Sequence, residues 1–596
     1  MLAVAFLGVV AGQSANPPLD RDAARWVDET LHSLTLDEKI GQLIVPSFYT
    51  GFVSSDSDVY DDLVSLVHEQ HVGGFHVFGG REPAPPVLLN PTYDRSTLGP
   101  PLDAASLLNR LQSIARVPLL VTADFETGVG FRLAGATTFP RAMAFGAAGD
   151  AQLAFEAGRI TAVEARAIGV HVNFAPVVDV NNNPRNPVIN TRSFGEDPAL
   201  VSRLASAFAR GVEQGGMIAT AKHFPGHGDT DVDSHLGLPL IQHPRERLEQ
   251  LELVPFRGAI AAGADAVMTA HIELPALDPT SGTPTTFSQR IVSGLLRKEL
   301  GFEGLVYTDS MSMDAVSDLA PPGEAAVRAL QAGHDVVLHS PDPRAAVRAI
   351  KTAALAGDVT PGRLDESVRR ILTAKARLGL HRSRAVSLDS LPLTVGTRVS
   401  KAVAQQVSER SLTLIRDERA SVPLSIGRDR SLLVLSLLDY PSGWGIGAPG
   451  RTFIPELRKR WSDLHAIELS DRTPLSDVEL VERIADRYDA IVASVYVRTA
   501  AFSGRMDLAP MLVDLLNNLA KQSGSRGQPF VTVFFGNPYA ATFLTDLPAM
   551  LLTYDFYDLA ELSAARAVAG DIPISGKLPV TLGDQFPHGH GLTRTH

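Results

Sequence analysis

The sequence predicts an α/β protein with an N-terminal (β/α)8 barrel of the TIM type, followed by a C-terminal α/β sandwich domain. Two observations favour the barrel. Eight short apolar segments alternate with amphipathic helical patterns, and polar residues follow the C-terminal ends of several of these segments. An open doubly wound sheet is the alternative, but eight successive units favour closure. A second, shorter series of strands and helices follows and predicts the sandwich domain.

The elements are predicted from hydrophobic periodicity and from turn residues at their ends. The barrel strands are predicted at 40–48, 72–78, 118–124, 170–178, 217–223, 264–271, 305–309 and 335–339. Barrel helices are predicted at 22–38, 103–115, 151–168, 199–214, 246–262, 288–300, 323–332 and 343–356. The second domain has predicted strands at 431–437, 466–469, 490–497, 530–535 and 549–554, and helices at 401–411, 477–487, 509–521 and 559–569.

Composition shifts divide the chain into domains. Residues 22–380 form the predicted barrel and residues 399–596 the predicted sandwich domain. Residues 381–398 contain glycine, proline and serine without a helical or strand period, so they are interpreted as the interdomain linker.

The charge and cysteine content exclude several classes of function. The chain has 596 residues, a net charge of -12 and no basic block, so nucleic acid is not an expected partner. It has no cysteine, which excludes disulfides, thiolate metal sites and cysteine nucleophiles. No stretch predicts a membrane span.

The N-terminus predicts export to the periplasm or the medium. Residues 1–15 combine a short apolar run with a small-residue end, as a signal peptide does, although the usual basic start is missing. The alternative is an apolar terminus of a cytoplasmic protein.

The densest polar segment is residues 222–235, which follows the predicted fifth strand. A buried strand that opens into a polar loop is a common support for catalytic groups. Asp233 and His235 are two residues apart, and a turn at Ser234 would bring the carboxylate to the imidazole. The Gly/Asp-rich stretch before them predicts a mobile loop.

Asp309 follows the predicted seventh strand, where a barrel enzyme carries catalytic groups. A carboxylate at this position can attack an anomeric carbon and form a covalent glycosyl intermediate. The alternative is a helix N-cap. Such a nucleophile needs a proton donor, for which His235 is the candidate, with Asp233 orienting it. The alternative for His235 is an ordinary surface histidine.

Several charged residues at other strand ends can donate to or accept from sugar hydroxyls, and each is equally consistent with a structural ion pair. They are Asp124, Arg132, Arg192, Lys222 and His223. Asp179 and His271 also lie at or just past predicted strand ends, so the side chains are expected to converge on one mouth.

A metal site is the competing interpretation of the polar loop. His223, His227 and His235 with Asp229 include residue types that ligate zinc. The Pro-Gly pair at 225–226 breaks any helix between the first two histidines, so their spacing is not that of a helical zinc site. No metal and no other cofactor is therefore expected.

These motifs resemble glycoside hydrolase family 3, and within it the β-N-acetylglucosaminidase branch, from about residue 36 onward. The loop from Lys222 through Gly228 is similar to the branch's Lys-His-Phe-Pro-Gly-His-Gly motif, and residues 233–235 match its Asp-Ser-His ending. The resemblance implies that His235 is the acid/base, Asp233 its partner and Asp309 the nucleophile. It also implies that sugar is bound by residues matching the branch's binding positions, namely Asp124, Arg132, Arg192, Lys222 and His223.

The chain departs from the branch's D-Q-E-G-G-x-V-x-R motif in its middle. Phe125, Thr127 and Gly130 replace the usual Gln, Gly and Val, whereas Asp124 and Arg132 keep the ends. Sugar binding is therefore expected to survive, with the preference for the leaving group in question.

The expected reaction is retaining removal of terminal β-linked N-acetylglucosamine from chitooligosaccharides or peptidoglycan fragments. The alternatives are a β-glucosidase, a phosphorylase of either glycoside, and a non-catalytic sugar-binding protein.

Overall fold

A computed structural model describes residues 18–82, 95–438, 449–497, 508–544 and 546–595 of the chain. The predicted export signal at residues 1–15 lies outside the described residues. None of the helices in the described ranges combines the length and the apolar character needed to cross a bilayer.

The first part of the chain forms a barrel of parallel strands. In chain order the strands are β1 (Ile44–Val45 and Ser47–Tyr49, on either side of Pro46), β2 (His76–Phe78), β3 (Thr122–Ala123), β4 (Val172–Asn173), β5 (Ile218–Phe224), β6 (Ala266–Thr269), β7 (Leu305–Thr308) and β8 (Val337–Leu338). Each strand from β1 to β6 pairs in parallel with the next strand along the chain. The barrel fold predicted from eight apolar segments is thus confirmed.

Closure of the barrel depends on β8. Ile44 of β1 pairs with Val337 of β8, and a parallel bridge joins Tyr307 of β7 to Val336. Buried aromatic rings fill the interior, where Phe174 and Tyr307 meet edge to face with centroids 5.2 Å apart. This packed layer supports the strand ends above it.

Helices cover the outside of the barrel. They are Arg21–Ser33, Leu36–Gln42, Asp58–His68, Pro101–Ile114, Ala142–Ala148, Ala151–Ile168, Pro198–Gln214, Arg245–Gln250, Leu253–Ala261, Asp314–Ser317, Pro322–Ala332, Pro343–Ala356 and Pro361–Arg377, with a π-helix at Arg290–Glu299 and 3-10 turns at Val129–Phe131, Asn190–Arg192 and Thr285–Phe287. A short hairpin joins Gly80–Glu82 to Arg95–Thr97.

The prediction that a strand begins at residue 40 is wrong. Residues Leu36–Gln42 are a helix, because Thr35 and Glu38 form a reciprocal capping box. The apolar strand begins only at Ile44.

The helix Pro361–Arg377 is an element that the sequence analysis does not predict. It is attached to the barrel through the buried carboxylate of Asp335. Asp335, fully buried before β8, accepts hydrogen bonds from Arg297, Ser367 and Arg370. Such a carboxylate needs donors from several elements, so the cluster ties this helix to the barrel wall.

The second domain is a six-stranded sheet between helices. Its strands are β9 (Thr413–Asp417), β10 (Leu432–Leu438), β11 (Leu464–Ser470), β12 (Ala490–Val497), β13 (Phe530–Gly536) and β14 (Ala549–Leu552), in the spatial order β9-β14-β13-β12-β10-β11. Only β9 is antiparallel to its neighbour. The helices are Arg398–Ser411, Phe453–Arg458, Leu475–Ile484, Pro510–Arg526 and Asp558–Val568, with 3-10 turns at Ala485–Arg487 and Pro538–Phe543.

Residues 381–398 are held against the barrel and contain two short helical pieces, Leu388–Ser390 and Leu391–Thr394. Leu391 is buried, and the Asn109 side chain exchanges hydrogen bonds with the backbone of Val386 at 2.8 Å each. This connection is therefore packed rather than extended away from the domains.

Candidate active site

The polar residues predicted at strand ends share one mouth. Lys222 at the end of β5 donates to Asp124, which follows β3, with Nζ 2.9 Å from Oδ1. His223, the next residue, has its Nε2 3.9 Å from Oδ2 of Asp309, which follows β7. Contacts across the barrel axis thus join side chains that are far apart in sequence.

Asp124 is the centre of one set of contacts. In addition to Lys222, the carboxylate has Arg132 Nη2 and His76 Nε2 each 3.4 Å from Oδ2. Burial opposes ionisation, but Lys222, His76 and Arg132 together hold the pKa of Asp124 well below its ordinary value. The result is a permanently ionised acceptor beside cationic donors, which suits the hydroxyl groups of a sugar.

Glu126 joins two of the predicted sugar-binding cations, a role that sequence reasoning missed. Arg192 donates to both carboxylate oxygens, at 3.0 and 2.7 Å, and Lys222 Nζ lies 2.8 Å from Oε1. Burial opposes its ionisation, yet Arg192 and Lys222 lower the pKa of Glu126 far below normal. The signal in the sequence was the two-residue spacing from Asp124, which directs two carboxylates to one side of an extended segment.

His223 is oriented from below by Asp179. Its Nδ1 lies 2.7 Å from Oδ2 of this fully buried carboxylate, which also accepts from the backbone N–H groups of His223 and His227. A carboxylate partner requires Nδ1 to carry a proton, so Nε2 is the atom presented to Asp309. The predicted convergence of β4, β5 and β7 is seen directly here.

Asp309 is an ionised carboxylate that is partly open to solvent. Its side chain is 19% exposed, and the Ser310 N–H donates to Oδ1 at 2.8 Å. Burial opposes ionisation, but His223, Lys222 and the Ser310 N–H outweigh it and lower the pKa of Asp309 below the ordinary value. The carboxylate is charged at neutral pH while remaining partly open to a substrate.

His271, at the end of β6, supports the segment that carries Asp309. Its Nε2 donates to the Ser310 carbonyl at 2.9 Å, and its Nδ1 is 2.6 Å from the Thr286 hydroxyl. Burial lowers the pKa of His271, so the ring is neutral and Nδ1 accepts from the threonine.

Asp233 and His235 form the predicted pair. Oδ1 of Asp233 accepts both from the imidazole Nδ1 at 2.7 Å and from the His235 backbone N–H at 2.9 Å. The aspartate is 7% exposed and the histidine 27%. The pair lies on the loop that follows β5, the strand that carries Lys222 and His223.

His227 stabilises the loop that runs from His223 at the end of β5 to the Asp233–His235 pair. Its ring nitrogens are 2.9 Å from the hydroxyls of Thr230 and Ser234. Burial lowers the pKa of His227 to about 4, so the ring is a neutral bridge at neutral pH. The loop also packs tightly on the segment that follows β4. A Cβ atom at Gly228 would lie only 1.8 Å from the Val180 carbonyl oxygen, so the position has room only for glycine.

The four residues of the zinc interpretation have other partners. His223 faces Asp179, His227 contacts Thr230 and Ser234, and His235 pairs with Asp233. Asp229 contacts His243 and Arg247. Within the described ranges no three His, Asp or Glu side chains are arranged to hold a metal ion.

Comparison with known proteins assigns the chain to a family. Residues 35–374 match the glycosyl hydrolase family 3 N-terminal domain. The β-N-acetylglucosaminidase/β-glucosidase of Cellulomonas fimi is 31% identical over 581 residues, which cover 94% of this chain and 96% of the relative.

Solved structures extend the similarity to both domains. A family 3 β-N-acetylglucosaminidase from Paenibacillus sp. str. FPU-7 aligns with a TM-score of 0.79 and 36% identity, over 92% of this chain and 99% of that one. The β-glucoside phosphorylase BglX aligns with a TM-score of 0.81 at 24% identity, over 94% of this chain and 97% of that one, and this likeness shows the fold alone. The chain therefore belongs to glycoside hydrolase family 3 and is a glycosidase of its β-N-acetylglucosaminidase branch.

Proposed function

We propose that the enzyme hydrolyses terminal β-linked N-acetylglucosamine with retention of configuration, with Asp309 as nucleophile and His235 as acid/base. The observations that carry the proposal are the ionised, partly open Asp309 carboxylate after β7 and the Asp233–His235 hydrogen-bonded pair on the loop after β5. A retaining glycosidase needs these two functions on opposite sides of the scissile bond.

In the first step, an Asp309 oxygen bonds to the anomeric carbon while the bond to the leaving oxygen breaks. That oxygen takes a proton from Nε2 of His235, whose other nitrogen is held by Asp233. In the second step, His235 removes a proton from water, the resulting hydroxide attacks the anomeric carbon, and Asp309 is released as a carboxylate.

The sugar itself is held by the ion-paired groups at the other strand ends. Asp124 accepts from hydroxyls, whereas Lys222 and Arg192 retain donor hydrogens beyond those used with Glu126. His223 directs Nε2 into the same space. These are the groups expected to strengthen their contacts as the ring distorts towards the transition state.

The substrate is proposed from the relatives and not from a bound sugar. The names of the Paenibacillus and Cellulomonas proteins support N-acetylglucosamine, and chitooligosaccharides or peptidoglycan fragments are the natural sources we propose. We further propose that the enzyme meets them after export, as the apolar N-terminus suggests. The Cellulomonas name also includes glucosidase activity, so a β-glucoside is the second candidate.

The decisive experiment is trapping with a 2-deoxy-2-fluoro glycoside followed by peptide mapping. The expected result is a label on Asp309, and an Asp309→Asn variant that is neither labelled nor active. A label on any other carboxylate would overturn the nucleophile assignment.

A substrate comparison tests the remaining alternatives. We expect the nitrophenyl N-acetylglucosaminide to be cleaved faster than the glucoside, and water to be the acceptor. Because a histidine acid/base carries no negative charge to repel phosphate, the assays should be run with and without phosphate. Release of a sugar 1-phosphate would establish a phosphorylase, faster cleavage of the glucoside would change the substrate, and binding without turnover would indicate a sugar-binding protein.

A further inference from the structure

The second domain contacts the segment of the barrel that carries Arg192. Asn190 Nδ2 donates to Oδ1 of Asn537 at 3.2 Å, and Asn181 Nδ2 donates to the Tyr539 hydroxyl at 2.9 Å. Asn181 and Asn190 follow β4, whereas Asn537 and Tyr539 follow β13 of the second domain. All four side chains are buried, so the contacts form in a place from which water is largely removed.

The same segment is held a second time just beyond Arg192. Glu196 donates its backbone N–H to the Pro579 carbonyl at 3.0 Å, and its carboxylate accepts from the Thr581 N–H and hydroxyl at 2.8 and 2.6 Å. Gly195 has a φ of +152°, and a Cβ there would lie 2.4 Å from the Pro579 oxygen. Both ends of the short segment are therefore fixed by the second domain.

Arg192 lies between these two attachments. Asn190 has a φ of +41°, in the left-handed region, and begins the 3-10 turn Asn190–Arg192. From this turn the guanidinium reaches Glu126, and its Nη2 is 3.4 Å from His223 Nε2. The orientation of the Arg192 side chain thus depends on a turn whose first residue, Asn190, is hydrogen-bonded to the second domain.

We propose that the second domain is a positioning element for sugar binding, and that Asn537 acts through Asn190 to set the position of Arg192. This rests on the proposed role of Arg192 in holding the substrate. It gives the second domain a task in catalysis although none of its described residues contributes to the ion-paired network around Asp124, Lys222 and Asp309.

Asn537 is suited to this role because it is itself rigid. Its backbone N–H donates to the Val497 carbonyl at 2.7 Å, and its Oδ1 also accepts from the Tyr539 N–H at 3.1 Å as a helix cap. It is 1% exposed. A side chain fixed by its own sheet and cap transmits the position of the second domain to the barrel segment that it contacts.

The test uses Asn537→Ala and Asn190→Gly, which remove the same contact from either side. Glycine tolerates the left-handed φ of residue 190, so that turn is not strained by the change. Each variant is expected to raise KM roughly 3- to 10-fold, the range of one net hydrogen bond, with kcat within about twofold of wild type. The double variant should raise KM by less than the product of the two single effects, because both changes remove the Asn190–Asn537 contact.

Controls separate positioning from general destabilisation. Asn518→Ala removes a similar 2.9 Å hydrogen bond, to Glu482, on an exposed part of the second domain, and should leave KM unchanged. Asn537→Asp keeps an acceptor oxygen for Asn190 and should restore most of the affinity. Thermal unfolding of every variant confirms that it is folded under assay conditions.

The coupling to Arg192 is measured directly with Arg192→Lys in both backgrounds. If Asn537 acts through the arginine, this change raises KM less in the Asn537→Ala background than in wild type. Equal increases, or an unchanged KM in the single variants, would overturn the proposal.

The assays use whichever nitrophenyl glycoside the wild-type enzyme cleaves, so a wrong substrate assignment leaves the test intact. Calorimetric affinity for N-acetylglucosamine and for glucose provides a readout independent of turnover. A wild-type protein that binds either sugar but cleaves neither glycoside would refute the proposed function alone, and the same affinity series would still decide the positioning role.

Discussion

Glu126 accepts hydrogen bonds from Arg192 through both of its carboxylate oxygens, at 3.0 and 2.7 Å. Lys222 lies against the same carboxylate and also against Asp124, so the two carboxylates balance two cations that are otherwise expensive to bury. The cations proposed to bind sugar are therefore held beside carboxylates that balance their charge.

Replacing Glu126 by Gln should weaken both binding and folding. Arg192 and the buried Lys222 lose a shared counter-ion, and removing one partner of a buried ion pair costs about 3 to 5 kcal/mol of unfolding free energy. We also expect KM to rise by at least about tenfold as Lys222 and Arg192 shift. Denaturant unfolding and steady-state kinetics measure the two effects. Glu156→Gln is the control, because it removes a partly exposed ion pair with Arg159, and it should change the free energy of unfolding and KM only slightly. A loss of stability or affinity as large as that of Glu126→Gln would contradict the explanation.

Replacing Asp233 by Asn should reduce kcat by roughly 10²- to 10⁴-fold, because an amide neither fixes the required tautomer of His235 nor stabilises its cationic form. The groups proposed to bind sugar are not touched, so KM should change little. Asp231→Asn is the matched control in the same loop, where the carboxylate is 62% exposed and lies 3.9 Å from Arg185. Equal kinetics for Asp233→Asn and wild type would remove the pair from the mechanism.

Asp555, which follows β14, makes stability depend on pH. Burial raises its pKa to about 6 from an ordinary 3.8, despite the nearby Arg141. The folded state therefore holds a proton that the unfolded chain has released, and stability is lost as pH rises from about 4 through 6. The free energy of unfolding of Asp555→Asn should exceed that of wild type by about 2 to 3 kcal/mol at pH 8, and the two should be nearly equal at pH 4.

Urea unfolding at both pH values measures this difference. Asp429→Asn, a change at an exposed position of the same domain, should show no pH-dependent gain. A stability difference for Asp555→Asn that is the same at pH 4 and pH 8 would contradict the buried-carboxyl explanation.

The loop that carries His235 should become more ordered when sugar binds. Asp231 and Val232 at its tip are exposed, and His235 is 27% exposed. A sugar bound against Asp309 gives the imidazole a new partner, so amides of residues 229–236 should exchange hydrogen more slowly with N-acetylglucosamine present. Amides of β5 serve as the internal reference. Exchange that is unchanged in the loop would contradict a mobile acid/base.

Much of the fold could be predicted because the barrel strands are apolar and end in turn or polar residues. The helices Ala151–Ile168 and Pro343–Ala356 were predicted at their observed bounds. Their ends are marked in the sequence by aspartate caps and C-terminal glycines. Strand β9 was missed because Thr413–Asp417 begins almost directly after the helix ending at Ser411, without a glycine or proline between them.

The positions of Asp309 and Lys222 at strand ends could be predicted, because each follows an apolar segment, whereas the roles given to them and to His235 stay predictions. Shared roles were harder to predict. Glu126 and His76 act by contacting other residues of the site, and such pairings depend on the barrel bringing distant strand ends together. The contacts between Asn190 and Asn537 belong to two domains, so hydrophobic periodicity within either one contains no signal for them.

The His227 bridge has a consequence for engineering. Its two ring contacts join the start of the polar loop to Ser234, which stands between Asp233 and His235. If this loop were transplanted into another enzyme, His227, Thr230 and Ser234 would therefore have to be transferred together. A graft limited to Asp233 and His235 would carry the proposed acid/base pair without the His227 contacts that fix the loop around it.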